Sequence, residues 1–380
     1  MKKAKSKSRT IPEKTKRELW VKAGGRCEFG GCNVYLLNEP QSQAPGNFGE
    51  LAHNEPFSVK GPRSHTRKLS HDIHDIENLM LLCQPHHKLI DAIPLEYPVE
   101  KLREFKGDHE RRIFELTSIS ADRNTTIIRL IGEINGDSVG LSNEEARLVV
   151  ARDEKYRPEF VARGTSDLEI NLKNLTRDQY WADGFQRIDD FISAPLQAFN
   201  RTSPIKHISV FAFAKIPFIF YLGYKLGDKI PTSIYQRNRD SQDWHWHEDS
   251  SGIDFVFHKK TGNQSAIALI INASGEIHPA SLPSEVSTFY QIQVSPEGAA
   301  PARNLVQARQ TLVNFNNCVE KIIRGIEAEL GSNQVLHVFP AVPVSFAFSL
   351  AQQFLKSMNH QFYLYDFNNG KFEFVKEIKK

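Results

Sequence analysis

Two pairs of soft ligands stand out early in this 380-residue chain: Cys27-x4-Cys32 and, about 50 residues later, Cys83-x2-His86. Each pair closes a loop of the size that chelates one edge of a tetrahedral zinc, so together they predict a structural zinc site. The fourth cysteine, Cys318, has no partner motif and is expected to be an ordinary helix residue. Histidines crowd the same stretch. Six of the chain's 14 (His53, His65, His71, His74, His86 and His87) fall between residues 50 and 91.

With the zinc ligands set aside, His53, Asn78 and His87 remain. The segment ELAHNEPFS resembles the first strand and turn of the HNH (ββα-metal) endonuclease motif, ENLMLL its second strand with the asparagine, and CQPHHKLID the entry to its metal-binding helix. The knuckle AGGRCEFGGC is similar to that of zinc-containing members, and the resemblance covers roughly the first 118 residues. It implies that His53 is the general base. It also implies that His87 is a ligand of a catalytic Mg²⁺ or Mn²⁺ and that Asn78 bridges the strand-joining loop and holds His53.

Phosphodiester hydrolysis needs those residue types. A neutral imidazole deprotonates water near neutral pH, and a divalent cation stabilises the anionic transition state and the leaving oxygen. If a helix follows Pro85, His87 and Asp91 stand at i and i+4 on one face, and both reach one ion. One position departs from the family pattern: many HNH nucleases carry Asp or His directly before the base, and here that residue is Ala52. A thinner metal shell is expected.

These residues need a scaffold, and 380 residues suffice for two or three domains with proper cores. A 40% hydrophobic and 24% charged composition is that of a soluble globular protein. No apolar run has the length of a membrane span, so no membrane association is expected. The start, MKKAKSKSRT, lacks the apolar core of a signal peptide; a cytoplasmic location is the expectation. Net charge is +3 but uneven, with +4 in residues 1–120 and eight basic side chains in the first 17. Such an arm beside a nuclease motif adds salt-dependent phosphate contacts. Lys60, Arg63, Arg67 and Lys68, in the loop between the two HNH strands, are candidate contacts to double-stranded DNA.

Pro12 opens a short helix that Gly24 and Gly25 end, and residues 97–116 carry apolar side chains at helical spacing, closing the nuclease domain. The division expected is residues 1–118, a linker at 119–124, and a second region over 125–380. In that region strands (TIIRLIGEI, HISVFAFA, IDFVFH, SAIALII, YQIQV, VLHVFPA, QFYLYDF) alternate with helices near 143–154, 178–193, 217–226, 304–330 and 343–358, which argues for an α/β fold with largely parallel sheets. VFAFAKIPFIFYLGYKL and LHVFPAVPVSFAFSLAQ align without gaps. Both read strand, turn, proline (Pro217 and Pro343), apolar helix, and so predict two Rossmann-like halves with helix N-termini suited to anions.

These strand-Pro-helix units, the DWHW segment at residues 243–246 and the HNH head together resemble the HNH–SAVED effectors of bacterial CBASS anti-phage defence. The resemblance implies a SAVED domain of two fused CARF-like Rossmann halves. It further implies activation by a cyclic dinucleotide from a partner nucleotidyltransferase, with ligand-driven homo-oligomerisation. Such a ligand needs cations or helix N-termini for its phosphates and flat side chains for its bases. The candidates are Lys215, Pro217, Arg237, Arg239, Trp244, Trp246 and Pro343. Two other readings stay open: a restriction-type HNH enzyme whose C-terminal domain reads DNA, and a non-catalytic zinc-bearing DNA-binding protein.

Overall fold

A computed structural model of the chain defines residues 10–39, 42–56, 72–134, 137–138, 140–158, 168–202, 204–246, 252–355 and 361–379. The chain forms two compact units, Met1–Ile119 and Ser120–Lys380. The expected DNA contacts Lys60, Arg63, Arg67 and Lys68, and most of the basic N-terminal arm, lie outside the defined residues.

In the first unit Pro12 caps α1 (Glu13–Lys22), and Gly24 and Gly25, at φ +61 and +66, turn the chain away from it. Strands β1 (Gly49–His53) and β2 (Leu79–Cys83) pair antiparallel, with His53 opposite Leu79 and Gly49 opposite Cys83. Helix α2 (Gln84–Ala92) follows β2 without a loop, started by Pro85, and α3 (Val99–Thr117) closes the unit. Leu79 to Leu82 are all buried, so β2 has no solvent face and packs its run against Leu19, Leu36, Ala52, Ile90 and Leu102. That core is small.

In the second unit the first sheet is wholly parallel. Strand β3 (Asn124–Ile131) is followed by the short β4 (Glu133–Ile134) and β5 (Asp137–Ser138) hairpin, α4 (Asn143–Asp153), β6 (Arg157–Pro158) and β7 (Glu169–Asn171). Helices α5 (Tyr180–Phe191) and α6 (Gln197–Thr202) lead to β8 (Ile208–Phe213), α7 (Ile216–Leu226) and β9 (Thr232–Tyr235). The order is β6-β3-β8-β9 with β7 also on β3. The second half contains β10 (Phe255–Lys260), β11 (Asn263–Asn272), β12 (Phe289–Pro296), α8 (Arg309–Leu330), β13 (Val335–Ala341), α9 (Val344–Leu355), β14 (Gln361–Asn368) and β15 (Lys371–Ile378). Its sheet, β10-β12-β11-β13-β14-β15, is parallel at the centre and antiparallel at both edges.

Two α/β halves were expected, and their repeated units β8–α7 and β13–α9 pack helix against helix. A Cβ on Gly223 of α7 would lie 2.6 Å from the Phe348 carbonyl of α9, so glycine is what permits that approach. Several details differ from expectation, among them the short β5, β6 and β7 and helix α6, none of which was anticipated. Helix α8 begins at Arg309, not near 304, because Leu305 and Val306 bury their side chains before the helix starts. Strand β15 was not anticipated. Its local signal is the Asn369-Gly370 turn, at φ 48 and 84, which closes a hairpin with β14.

Candidate metal centre and ligand cavity

The zinc site predicted from spacing is assembled from three elements. Cys27 and Cys32 come from the knuckle after α1, Cys83 ends β2, and His86 lies in the first turn of α2. Their ligand atoms all fall within 4.8 Å of one another. Cys83 Sγ is 3.1 Å and Cys27 Sγ 3.7 Å from His86 Nδ1. Tetrahedral coordination with Zn–S of about 2.3 Å and Zn–N of about 2.0 Å puts neighbouring ligand atoms in that range, so the cluster fits zinc. Burial pushes the Cys27 and Cys83 thiols up, so thiolates at this place need a cation to stabilise them. His86 is further fixed by stacking on Phe29, 4.0 Å between ring centroids and 3° between planes. The backbone N–H of Cys83 donates to Cys27 Sγ at 3.3 Å, the outer-shell contact that orients a ligating sulfur.

Next to it, the HNH residues gather where β1 ends and α2 runs past. His87 and Asp91 do share one face of α2, with His87 Nε2 3.8 Å from Asp91 Oδ2. His87 Nδ1 sits 2.7 Å from Glu50 Oε2. Glu50, on β1, was not among the sequence candidates. Ala52 is 1% exposed and packs in the core. Glu50 and Asp91 flank His87 at its two ring nitrogens, Glu50 at Nδ1 and Asp91 at Nε2.

His53 is half-buried, and burial, followed by the nearby His74 and His87, holds its pKa below the ordinary histidine value, leaving it a neutral base at neutral pH. His53 Nε2 faces His74 Nδ1 at 3.3 Å. Asn78, 1% exposed, makes the bridge expected of it. Its Oδ1 accepts from Glu55 N–H (2.8 Å), and its Nδ2 donates to the carbonyls of Glu55 (3.1 Å) and Ile73 (3.0 Å). It acts on His53 through the chain on either side, not by touching the ring.

In the second unit the candidates separate. Arg237, Arg239 and Pro343 line one cavity of about 90 Å³, together with Gln236, Asn304 and Arg303, a cation the sequence reading missed because it lies in an irregular stretch without a motif. Among the described residues the Arg237 Nε is buried without a hydrogen-bond partner. Pro343 precedes α9, and the Ser345 N–H and hydroxyl both bond Gln236 Oε1, at 3.2 and 2.9 Å. That side chain already occupies the helix N-terminus. Lys215 is not at this cavity; it pairs with Asp366 at 2.6 Å and lies over the Trp181 ring. Pro217 is the second residue of α7 and is buried.

Of the two tryptophans, Trp244 is corrected by its packing. Trp244 is 1% exposed and packs edge-on against Phe211, itself stacked on Tyr235, so it is a core side chain with no face for a base. Trp246 is 9% exposed, with Arg309 over its ring. The DWHW segment is a strap. His245 Nδ1 meets Asp153 Oδ1 at 2.7 Å, Trp246 N–H donates to Asp153 Oδ2 at 3.2 Å, and Asn238 donates to Asp243 and to the His245 carbonyl. It ties the arginine-bearing loop to the end of α4.

A ββα head that gathers a Cys3His cluster beside an acid–histidine group is joined in one chain to paired α/β halves. Residues 30–93 match the HNH endonuclease family. Residues 187–379, just over half of the chain, match the SMODS-associated and fused to various effectors sensor domain, and the chain belongs to this SAVED family. No curated protein matches. Among solved structures, an Acinetobacter baumannii Cap4 SAVED/CARF-domain containing receptor with the cyclic trinucleotide 3'3'3'-cAAA is 12% identical at a TM-score of 0.44, covering 77% of this chain and 65% of that one. A Moraxella osloensis Cap4 receptor is 15% identical at a TM-score of 0.37, covering 82% and 67%. This chain thus spans 65% of the length of the Acinetobacter receptor.

Proposed function

We propose that the chain is a cyclic-oligonucleotide-activated, metal-dependent endonuclease of double-stranded DNA that serves as an anti-phage effector. The observation that carries the nuclease reading is the placement of His53, kept neutral by burial, beside the group formed by Glu50, His87 and Asp91. His53 takes a proton from the attacking water. His87, through Nε2, and Asp91 would hold a Mg²⁺ or Mn²⁺, which would supply Lewis acidity at the scissile phosphate and the leaving oxygen, while Glu50 on Nδ1 would orient the ring. Asn78 keeps the loop bearing His53 closed. The Cys3His cluster would hold a structural zinc that fixes the start of α2, and with it His87.

In the second unit, Arg237, Arg239 and Arg303, with Asp240 among them, line a small cavity whose net positive charge suits a phosphate of a cyclic dinucleotide. A nuclease harmful to its own cell must stay silent without its signal, and ligand-driven assembly of identical subunits is an efficient gate. The nucleotide comes, on this reading, from a partner nucleotidyltransferase. Its test is plasmid cleavage with Mg²⁺ or Mn²⁺, with and without a panel of cyclic di- and trinucleotides, alongside His53→Ala. Nucleotide-dependent cleavage that falls by about 10²–10⁴-fold in His53→Ala is the expected result. Cleavage without nucleotide would move the reading to a restriction-type enzyme, and absence of cleavage under every condition would favour a DNA-binding protein. Light scattering checks assembly, since an unchanged mass during activated cleavage would rule it out.

A further inference from the structure

We propose that Asp153 and Glu154, where α4 ends, are positioning residues for the nucleotide cavity, each fixing one of the two walls that carry its arginines. The proposal rests on the sensor reading above. Residues 236–241 form one wall and residues 303–307 the other. A direct bridge between them, from the Asn304 side-chain amide to Asp240 Oδ2, is long at 3.4 Å. Each wall runs on into a segment that reaches the end of α4. Beyond the first wall, His245 Nδ1 meets Asp153 Oδ1 at 2.7 Å, and the Trp246 N–H donates to Asp153 Oδ2 at 3.2 Å. Beyond the second, Arg309 opens α8 and pairs with Glu154 Oε1. The Ser233 hydroxyl donates to Glu154 Oε2 at 2.6 Å. Ser233 is already held in β9 by its ladder with β8, so the wall that depends on Glu154 is the one Arg309 follows.

A helix C-terminus is a poor place for two adjacent acids, because its free carbonyl ends carry partial negative charge. Burial raises the cost, since a carboxylate taken out of water is tolerated only when it is paired. The Asp153 and Glu154 side chains are 11% and 7% exposed. Each of their four carboxylate oxygens has a partner, and those partners come from β9, the strap and α8. What offsets the local cost is therefore tertiary. Arg237 and Arg239 stand in a loop, and Arg303 in an irregular stretch, so neither wall is fixed by a helix or a sheet of its own. Cations that must meet phosphates at set spacings bind more tightly when they are in place beforehand, because ordering them on binding costs entropy. The two acids supply that order.

The isosteric variants Asp153→Asn and Glu154→Gln test this in the full chain, titrated calorimetrically with each member of a panel of cyclic di- and trinucleotides. Each should weaken binding by about 10-fold and raise the concentration for half-maximal cleavage equally, with the rate at saturation unchanged. The signature is selective. In an Arg237→Ala background Asp153→Asn should cost less than about two-fold, while in Arg303→Ala it keeps its effect; Glu154→Gln should show the reverse. Unchanged affinity, or effects that add in both backgrounds, overturns the proposal. If Glu154→Gln fails to fold, Arg309→Lys, which keeps the charge, should bind more tightly than Arg309→Met, and equal affinities overturn it. Hydrogen exchange of the free protein should quicken at residues 236–246 in Asp153→Asn and at 303–309 in Glu154→Gln, and unaltered exchange also overturns it. A wild-type chain that binds none of the panel defeats the sensor reading instead, and exchange then decides whether the acids fix the walls.

Discussion

The two units solve the problem of holding a site in opposite ways. The head buries only a short list of apolar residues around β2, and its Cys3His cluster ties together the knuckle, the end of β2 and the start of α2. The sensor unit buries one extended apolar cluster that runs through both sheets and the α7–α9 contact, with a second, smaller cluster on the far face of the β10–β15 sheet. A small core leaves little hydrophobic free energy to spare, and on the proposed reading metal ligation at that cluster would make up the difference, as in small zinc domains. Where packing does the holding, functional side chains are free to sit on irregular loops.

The largest expected effect follows from removing the metal cluster. Chelation, or Cys83→Ser, should abolish cooperative unfolding of the head while the sensor transition persists, as seen by calorimetry; zinc binding is worth about 10–16 kcal/mol in small zinc domains. A head that keeps its transition would mean that its core suffices alone. Trp244→Ala comes next. As a core residue it should cost about 3–5 kcal/mol in the sensor transition only, measured in denaturant. Lost nucleotide affinity at unchanged stability would restore it as a base-stacking residue.

Replacing the cavity cations has a middle-sized effect. Arg237→Ala or Arg303→Ala should each weaken nucleotide binding by about 30-fold, the loss of a charge-assisted bond worth about 2 kcal/mol, with both unfolding transitions in place. Calorimetric titration with the activating nucleotide measures it, and unchanged affinity would move the site elsewhere. Smallest is the response to acid. His207 is buried, bonded to Thr125 (2.8 Å) and Ser233 (3.2 Å), stacked on Tyr156, and near the charges of Arg123, Glu154 and Arg309. Burial lowers its pKa below the ordinary 6.5, so below that pH the unfolded chain binds the additional proton and the sensor loses stability as pH falls. His207→Asn should flatten that slope, a change of no more than about 2 °C in Tm at pH 5.5. An unaltered slope would assign the acid response to another group.

Much of this was legible because it is local. Chelating pairs at x4 and x2 spacing, His87 and Asp91 one helical turn apart, strand-Pro-helix units and a small strand followed at once by a helix all express backbone periodicity, and the corresponding elements form where expected. Trp244 misled because alternation in DWHW suggests a strand, whereas the segment forms no strand and is fixed by Asp153, Asn238 and Asp243. The counter-ion of Lys215, Asp366, lies 151 residues away and is invisible to local pattern.

From the residues alone follow the ligand set for zinc, the order of the HNH residues and the paired α/β halves, since each depends on neighbours within a few positions. Only the tertiary structure decided that Glu50 bonds His87, that His74 meets His53 across 21 residues, that Arg303 joins Arg237 and Arg239, and that Trp244 belongs to the core. Those pairings join side chains through space after the backbone has crossed itself, and their partners carry no mark in sequence: a glutamate, a histidine or an arginine in a loop looks like any other until packing sets what it faces.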